Sequence, residues 1–106
     1  MEGKLIFEYI RQKSDLFRIL LKSQSVTRIR KSVIQNIARM FEDSCGFLQR
    51  SNIYVPANIA SNHMATSLLA LIEWWLEHKM SPPPAQMGKI YKALIIDGTI
   101  RAVASM

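Results

Sequence analysis

The residues that could carry out chemistry in this chain are few and poorly placed for it. Its 106 residues include two histidines and one cysteine. On one helix His63 and His78 would lie about 22 Å apart, which is too far for both to bind the same metal ion. We therefore interpret each histidine as a residue on the flank of a helix, and the sequence predicts no metal site.

The acidic residues and the cysteine also favour a structural interpretation. Glu73 and Glu77 are four residues apart, but no histidine at matching spacing joins them as a ligand. Cys45 follows Glu42 and Asp43 at the end of a predicted helix, a setting that raises the pKa of a thiol and disfavours a nucleophile. No glycine-rich phosphate loop is present. The sequence therefore predicts a protein that is not an enzyme and uses no cofactor.

The net charge of +6 is unevenly placed. Seven basic residues between Arg11 and Lys31 accompany a single acid, Asp15, whereas the half after Asn52 is nearly balanced. A basic patch can bind nucleic acid through its phosphates, but it can equally be the solvated outer face of helices. No aromatic reading surface accompanies the patch, so we favour the solvated face and keep nucleic-acid binding as an alternative.

Length and composition predict one soluble helical domain over residues 1–106. Hydrophobic residues make up 49% of the chain and charged residues 21%, as in a folded globular protein. The longest nearly uncharged stretch, residues 64–76, is shorter than the roughly 20 residues that a membrane span requires. The N-terminus has no signal-peptide core, and a lone cysteine precludes an intramolecular disulfide. We therefore expect a cytoplasmic protein without membrane contact.

Apolar residues recur at helical spacing along most of the chain. Two short helices are predicted over Leu5–Ile10 and Leu16–Leu21, with a polar interruption between them. Over residues 26–41 the apolar positions are three and four apart, which places them on one face of a third helix. Pro56 suits the first turn of a fourth helix that ends at about His78. No strand finds a partner, so the sequence predicts an all-α bundle of about five helices.

The fourth helix is too apolar to contact one partner only. Between residues 64 and 76 nearly every position outside a narrow polar stripe is small or apolar, an arc wider than the roughly 100° of an ordinary surface helix. Trp74 and Trp75 point about 100° apart. One can therefore fill the protein's own core while the other contacts something else.

The last helix is predicted to begin at Ala85, after a proline-rich break. Its apolar seam runs at steps of four, three and four through Met87, Tyr91, Leu94 and Gly98. The fourth and fifth helices together need more partner surface than three short N-terminal helices offer. A homodimer through residues 57–78 and 83–101 would supply that surface, because two-fold symmetry is the commonest arrangement of identical chains.

Several segments resemble a known family. Leu71–Met80, a proline-rich turn and Ala85–Ile95 resemble the C-terminal regulatory domain of TetR-type transcriptional regulators, and the resemblance covers most of residues 5–96. The pattern is similar to the small-domain subgroup that includes dihydroxyacetone-kinase regulators. Trp75–Leu76 matches that subgroup's tryptophan–leucine helix end.

Two further segments match the subgroup's motifs. The N-terminal motif of the subgroup's domain is similar to Tyr9–Ile10 and Asp15–Phe17 in this chain. The start of the subgroup's last helix is similar to Pro84–Met87. Pro83 stands where a serine cap is expected.

The resemblance implies a domain that senses an effector and dimerises. Its last two long helices would pair with those of a second copy into an intermolecular four-helix bundle. Operator DNA would be bound through an N-terminal helix-turn-helix domain that is absent from this sequence. The ligand would select one spacing of the two DNA-binding domains.

Two sets of residues follow as candidates. A pocket for a small apolar effector would be mostly apolar, and the residues expected to line it are Phe17, Leu20, Ile37, Phe41, Met64 and Trp74. The competing interpretation is that these side chains simply fill the core. The residues expected at the dimer interface are Ala60, Ser67, Leu71, Trp75, Met87, Tyr91, Leu94 and Gly98. An alternative function is a helical protein-binding co-regulator module without a small-molecule ligand.

Overall fold

The computed structural model of the chain describes residues 3–22, 26–49 and 55–104, all in helices or in the turns between them. The helices are α1 (Gly3–Gln12), α2 (Ser14–Lys22), α3 (Val26–Ser44), α4 (Ala57–Glu77), α5 (Pro84–Tyr91) and α6 (Gly98–Ala104), with a 3₁₀ turn at Gly46–Gln49 and a π-helical segment at Lys92–Asp97. The π segment joins α5 to α6 without a gap, so residues 84–104 form one continuous helix. The part of the chain described contains no strand, which confirms the predicted all-α class.

Prolines set the beginnings of α4 and α5. The amides of Ile59 and Ala60 both donate to the carbonyl of Pro56 at 3.1 Å, and the amide of Met87 donates to that of Pro83 at 3.0 Å. Proline suits these positions because its φ is already helical and the N–H it lacks has no partner in the first turn. Each helix begins one residue away from its predicted start, at Ala57 and at Pro84.

The core lies between two pairs of helices. α1 packs mainly against α5, and α3 packs mainly against α4. The largest fully buried side chains come from all four of these helices and from the 3₁₀ turn, and they are Phe7, Phe41, Leu48, Met64, Trp75, Met87 and Tyr91. Burying apolar surface of this kind contributes roughly 25 cal/mol per Å², so these side chains hold the bundle together.

α1 and α5 approach each other most closely at a pair of glycines. A Cβ atom on Gly88 would lie 2.6 Å from the amide nitrogen of Lys4, and one on Gly3 would lie 2.8 Å from the Cα of Gly88. Both distances are well inside van der Waals contact, so the backbones can meet in this way only because neither residue has a side chain. The contact brings α1 near enough for the Phe7 ring to pack at 88° to the Trp75 ring, with centroids 5.1 Å apart.

The π segment changes which side of the last helix faces the core. After Met87 and Tyr91, the next buried positions are Ile95 and Thr99, whereas Leu94 is 67% exposed. A π turn closes i→i+5 instead of i→i+4 hydrogen bonds and so accommodates one extra residue. That residue turns everything after it by about 100°. The predicted seam at Leu94 and Gly98 is therefore displaced by one residue, because a straight α-helix was assumed.

Two polar links join α3 to α4. Arg30 Nη1 donates to Glu73 Oε1 at 2.6 Å, and the buried Ser61 hydroxyl donates to Glu42 Oε1 at 2.9 Å. Because the Arg30–Glu73 pair is about two-thirds buried, it is screened less than a surface pair. The two links fix the rotation of α4 against α3.

The connection from α4 to α5 is held by Trp75. Its indole Nε1 donates to the carbonyl of Pro82 at 2.6 Å, and the amide of Met80 donates to the Trp75 carbonyl at 2.8 Å. Lys79 and Met80 both have left-handed backbone conformations, with φ of 58° and 56°. Trp75 therefore fills the core and binds the connection with its side chain, while its backbone carbonyl closes the end of α4.

Replacing Gly88 by Ala should destabilise the protein by about 1–3 kcal/mol, the usual cost of overpacking a close contact. The physical reason is that the new Cβ meets backbone atoms of α1, which cannot move aside as a side chain could. Gly46→Ala is the matched control, because a Cβ at Gly46 meets nothing within 4 Å. Urea unfolding should show a loss for Gly88→Ala only, and equal midpoints for the two variants would contradict the glycine contact.

Replacing Lys79 by Gly should stabilise the protein by up to about 1 kcal/mol. Lys79 is exposed, so little packing is lost, and glycine adopts a positive φ without the steric cost that a side chain brings. Lys89→Gly is the control, because Lys89 lies inside α5, where glycine costs helix propensity. The melting temperature should rise for Lys79→Gly and fall for Lys89→Gly; a fall in both would argue against the left-handed turn.

Candidate functional site

The histidines and glutamates of α4 occupy structural or exposed positions. The His78 ring stacks on Trp74 with centroids 4.0 Å apart, and its Nδ1 lies 2.7 Å from the Trp74 carbonyl oxygen. Glu73 is engaged by Arg30, while Glu77 and His63 are exposed. Among the described residues no group of three His, Cys, Asp or Glu side chains could hold a metal ion. In the same part of the chain no helix is long and apolar enough to cross a bilayer.

The basic residues between Arg11 and Lys31 do not all point to solvent as free charges. Arg30 pairs with Glu73, and Arg18 lies 3.7 Å from Asp15. The exposed members are Arg11, Lys13, Arg28 and Lys31, and the side chain of Lys22 falls outside the described set. The patch is therefore smaller than the sequence indicates.

The six residues expected to line a pocket fall into two groups. Phe41 and Met64 are fully buried, and Phe17 and Ile37 pack against the same core. Leu20 is half-buried. Trp74 is 46% exposed and stacks on His78, away from that core. The structure thus brings four of the six into one apolar cluster and leaves Trp74 outside it.

Tyr91 places a polar group inside that apolar cluster. Its ring stacks on Phe41 with centroids 6.5 Å apart and is 1% exposed. Its hydroxyl is buried and has no hydrogen-bond partner among the described residues. Burial, with a smaller contribution from the nearby Cys45, raises the pKa of Tyr91 to about 12. A buried tyrosine hydroxyl usually finds a partner, and the described residues supply none to this one.

Cys45 comes directly after α3 and is close enough to Tyr91 to affect its pKa. The Cys45 amide donates to the Phe41 carbonyl at 2.8 Å. Burial raises the pKa of the Cys45 thiol. The direction agrees with the sequence expectation, but the cause is desolvation and not the neighbouring acids on which that expectation rested. A raised thiol pKa lowers the fraction of reactive thiolate at neutral pH.

The eight residues expected at a dimer interface divide by exposure. Four are buried within the protomer, namely Ala60, Trp75, Met87 and Tyr91. Ser67 and Leu71 are half-buried, and Gly98 is exposed with Leu94. The π segment accounts for the last two, because it turns Leu94 and Gly98 away from the core side of Met87 and Tyr91. Trp75 fills the protomer's own core, so of the two tryptophans it is Trp74 that faces solvent.

An exposed apolar face, here called the α4–α6 face, is formed where the first half of α4 meets the π segment and α6. A shallow cavity of about 320 Å³ lies in it, lined by Val55, Ile59, Ala60, His63, Leu94, Gly98, Thr99 and Ala102. Ile59 and Leu94 are 58% and 67% exposed, and no acidic or basic side chain other than His63 lines the cavity. Such an apolar surface is typical of a contact site. Sequence reasoning missed Ile59, although its predicted two-sided α4 already contained it.

A second groove lies on the other side of the last helix, between α1 and α5. It has a volume of about 460 Å³, and its lining includes the glycine pair together with Lys4, Lys89 and Lys92. Two of these lysines have acidic partners, because Lys4 lies 3.7 Å from Glu8 and Lys92 lies 3.0 Å from Asp97. The groove thus carries more charged side chains than the α4–α6 face.

Comparison with known proteins gives one match. Residues 4–97 match the family model described as the C-terminal region of a transcriptional regulator, of the TetR type. No curated protein and no solved structure shows a significant match. The matched region extends from α1 to the end of the π segment and covers most of the chain, so the chain belongs to the family of C-terminal regions of TetR-type transcriptional regulators.

Proposed function

We propose that this chain is the ligand-sensing and dimerisation domain of a TetR-type regulator, with dihydroxyacetone-kinase regulators as the subgroup it resembles. The observation that carries the proposal is the exposed α4–α6 face, together with membership of a regulator family. The regulator would act in the cytoplasm and bind operator DNA through a separate helix-turn-helix domain. This chain would couple the two DNA-binding domains of a dimer.

The α4–α6 face suits a second copy of the chain. Ile59 on α4 and Leu94 in the π segment are 58% and 67% exposed, and Ile100 on α6 is 39% exposed. Water contact with such aliphatic side chains is unfavourable, and a two-fold axis would bury the same face on both copies. The proposed interface keeps the sequence-based ranges 57–78 and 83–101 and uses their outward-facing residues. α4 and the last helix of each copy would then form the four-helix bundle.

A small effector is the proposed input. The Tyr91 hydroxyl, buried beside Phe41 and close to Cys45, is a hydrogen-bond donor without a partner among the described residues. Its surroundings are otherwise apolar, which suits an apolar molecule carrying one hydrogen-bond acceptor. Binding would increase the population of the conformation in which the Tyr91 hydroxyl can donate to the ligand. Tyr91 lies on α5, which continues into the dimer-forming segment, so the two sites share one helix.

A protein-binding co-regulator module is the second candidate. Four large apolar side chains are exposed on α1 and α2, where Leu5 and Tyr9 are 58% and 56% exposed and Leu16 and Ile19 are 53% and 68% exposed. These surfaces lie outside the α4–α6 face and would remain available in the dimer. Failure of every small ligand to stabilise the protein would favour this candidate.

The double substitution Ile59→Glu with Leu94→Glu should convert a dimer to a monomer. Both residues are exposed in the protomer, so glutamate is tolerated there, whereas at an apolar interface it would leave a buried, unpaired charge. Sedimentation at micromolar concentration should show twice 12.1 kDa for the unaltered chain and 12.1 kDa for the variant.

The matched control is Met40→Glu, which replaces another exposed apolar residue, 51% exposed on α3, with the same charge. It should remain dimeric. A monomeric unaltered chain, or a dimer that survives the double substitution, would contradict the proposed interface.

Tyr91→Phe should separate ligand sensing from folding. Removing an unpaired buried hydroxyl should leave the unfolding free energy equal or raise it by about 1 kcal/mol, because no hydrogen bond is lost. In a thermal-shift screen of apolar molecules with one acceptor, a ligand at 100 times its Kd adds about 2.7 kcal/mol.

The stabilisation by such a ligand should be lost in Tyr91→Phe and retained in Tyr9→Phe, which alters an exposed tyrosine. A ligand that stabilises the unaltered chain and Tyr91→Phe equally would show that the hydroxyl is not its recognition group. A screen without any stabilising ligand would count against the effector.

A further inference from the structure

The last helix contains two apolar seams that begin at the same residues. Met87 and Tyr91 are common to both. One seam continues through Ile95 and Thr99 and is the one buried in the structure. The other continues through Leu94 and Gly98 and would be buried by an uninterrupted α-helix. The π segment selects between them.

The geometry of the segment supports this account. From Met87 to Thr99 is twelve residues, over which a regular α-helix would turn Thr99 about 120° away from the side of Met87. The extra residue in the π turn offsets about 100° of that rotation. The buried positions at 95 and 99 therefore require the π turn, and losing it would bring Leu94 and Gly98 to the core instead.

An ion pair spans the segment. Lys92 Nζ lies 3.2 Å and 3.0 Å from the two carboxylate oxygens of Asp97. The two residues are five apart, a spacing that a regular α-helix places about 140° apart on its surface, where neighbours are three or four apart. We call the arrangement with the π turn the π register and the uninterrupted α-helix the α register. The Lys92–Asp97 pair can form in the π register and is broken in the α register. Both side chains are substantially exposed, so the pair biases the register without locking it.

The alternative register has a comparable core. Leucine and isoleucine have the same volume, and swaps of equal volume are the best tolerated in a core. Leu94 could thus take the place of Ile95, whereas Gly98 would fill less of the space that Thr99 now occupies. The π register is favoured by that difference, and the α register remains a folded arrangement.

We propose that residues 92–98 are a register switch, in which exchange between the π turn and a regular α turn presents or withdraws the α4–α6 face. Four of the eight residues that line the cavity in that face lie at position 94 or beyond, and they are Leu94, Gly98, Thr99 and Ala102. All four would rotate by about 100° relative to α4. In the α register the exposed leucine enters the core and the face loses its largest side chain.

The consequence for dimerisation rests on the proposed function, but the exchange itself belongs to the protomer. A dimer that forms only from chains with the π turn would have an apparent Kd that rises as the fraction of such chains falls. Anything that stabilises one register, such as a molecule bound at Tyr91 one residue before the π segment, would then change the affinity between copies.

Thiol labelling under native conditions tests the exchange. Cysteine is introduced singly at Ile95 or at Met87 in the full chain carrying Cys45→Ser and Ile59→Glu; the first removes the native thiol and the second keeps the protein monomeric. Both reporter positions are buried, at 4% and 0% exposure, but only position 95 leaves the core when the register changes. We expect Ile95→Cys to react at least about tenfold faster than Met87→Cys, since local exchange exposes it without global unfolding.

Deletion of Ala93 is the decisive variant. Ala93 is exposed and lies in the π segment, so its removal converts the segment to regular α-helix while Ile95 and Thr99 keep facing the core. The labelling rate at position 95 should then fall to that at position 87. A rate at 95 that stays high would mean fraying of the helix end and would overturn the proposal, as would equal rates in the undeleted chain.

Asp97→Asn provides a second test of the exchange, which does not require the deletion variant to fold. Loss of the Lys92–Asp97 pair should raise the labelling rate at position 95 by about twofold or more and leave that at position 87 unchanged. Glu8→Gln, which removes the Lys4–Glu8 pair on α1, should change neither rate. If Asp97→Asn leaves the rate at 95 unchanged, the ion pair does not bias the register and the switch is rejected. Because labelling is measured on a monomer, a failure to dimerise would appear only in sedimentation of the chain with Ile59 intact.

Discussion

The contact between Gly3 and Gly88 fixes the rotation of α5 about its own axis, and much of the structure depends on that rotation. With a glycine facing α1, Met87 and Tyr91 must face the core, and Tyr91 is carried onto Phe41 of α3. The same side must be maintained over the following two turns if the helix is to continue covering α4. A regular α-helix cannot do this with Ile95 and Thr99, because its seam drifts. The π turn corrects the drift and leaves Leu94 in solvent.

Aromatic side chains in the core connect elements that are distant in the sequence. Trp75 contacts Phe7 on α1 and donates to Pro82 in the connection before α5, so it ties three parts of the chain together. Tyr91 does the same between α5 and α3, but its hydroxyl is left without a partner in the described part of the molecule. The indole N–H of Trp75 thus closes the connection to α5, whereas the Tyr91 hydroxyl makes no hydrogen bond to the described residues.

The helices could be predicted from the sequence because their signals are local. Apolar steps of three and four determine the class and place each helix to within two or three residues, and the prolines at residues 56 and 82–84 place the starts of α4 and α5 to within one residue. The rotation of the last helix could not be predicted, since Leu94 and Ile95 are both apolar and differ by one position. Nor could spacing decide which of Trp74 and Trp75 is buried, because either residue could face the core until the positions of the neighbouring helices are known.

The same choice between Leu94 and Ile95 also decides which side chains of the last helix are exposed at the candidate site. Of the residues assigned to an interface, the protomer buries Ala60, Trp75, Met87 and Tyr91, whereas the π turn leaves Leu94 and Gly98 exposed. Under the proposed function, Leu94 and the exposed Ile59 on α4 would meet a second copy without opening the core. A regulator needs a surface whose affinity for its partner changes at small cost. A helix with two nearly equivalent apolar registers has that property, because changing register exchanges one aliphatic side chain for another instead of unfolding the protein.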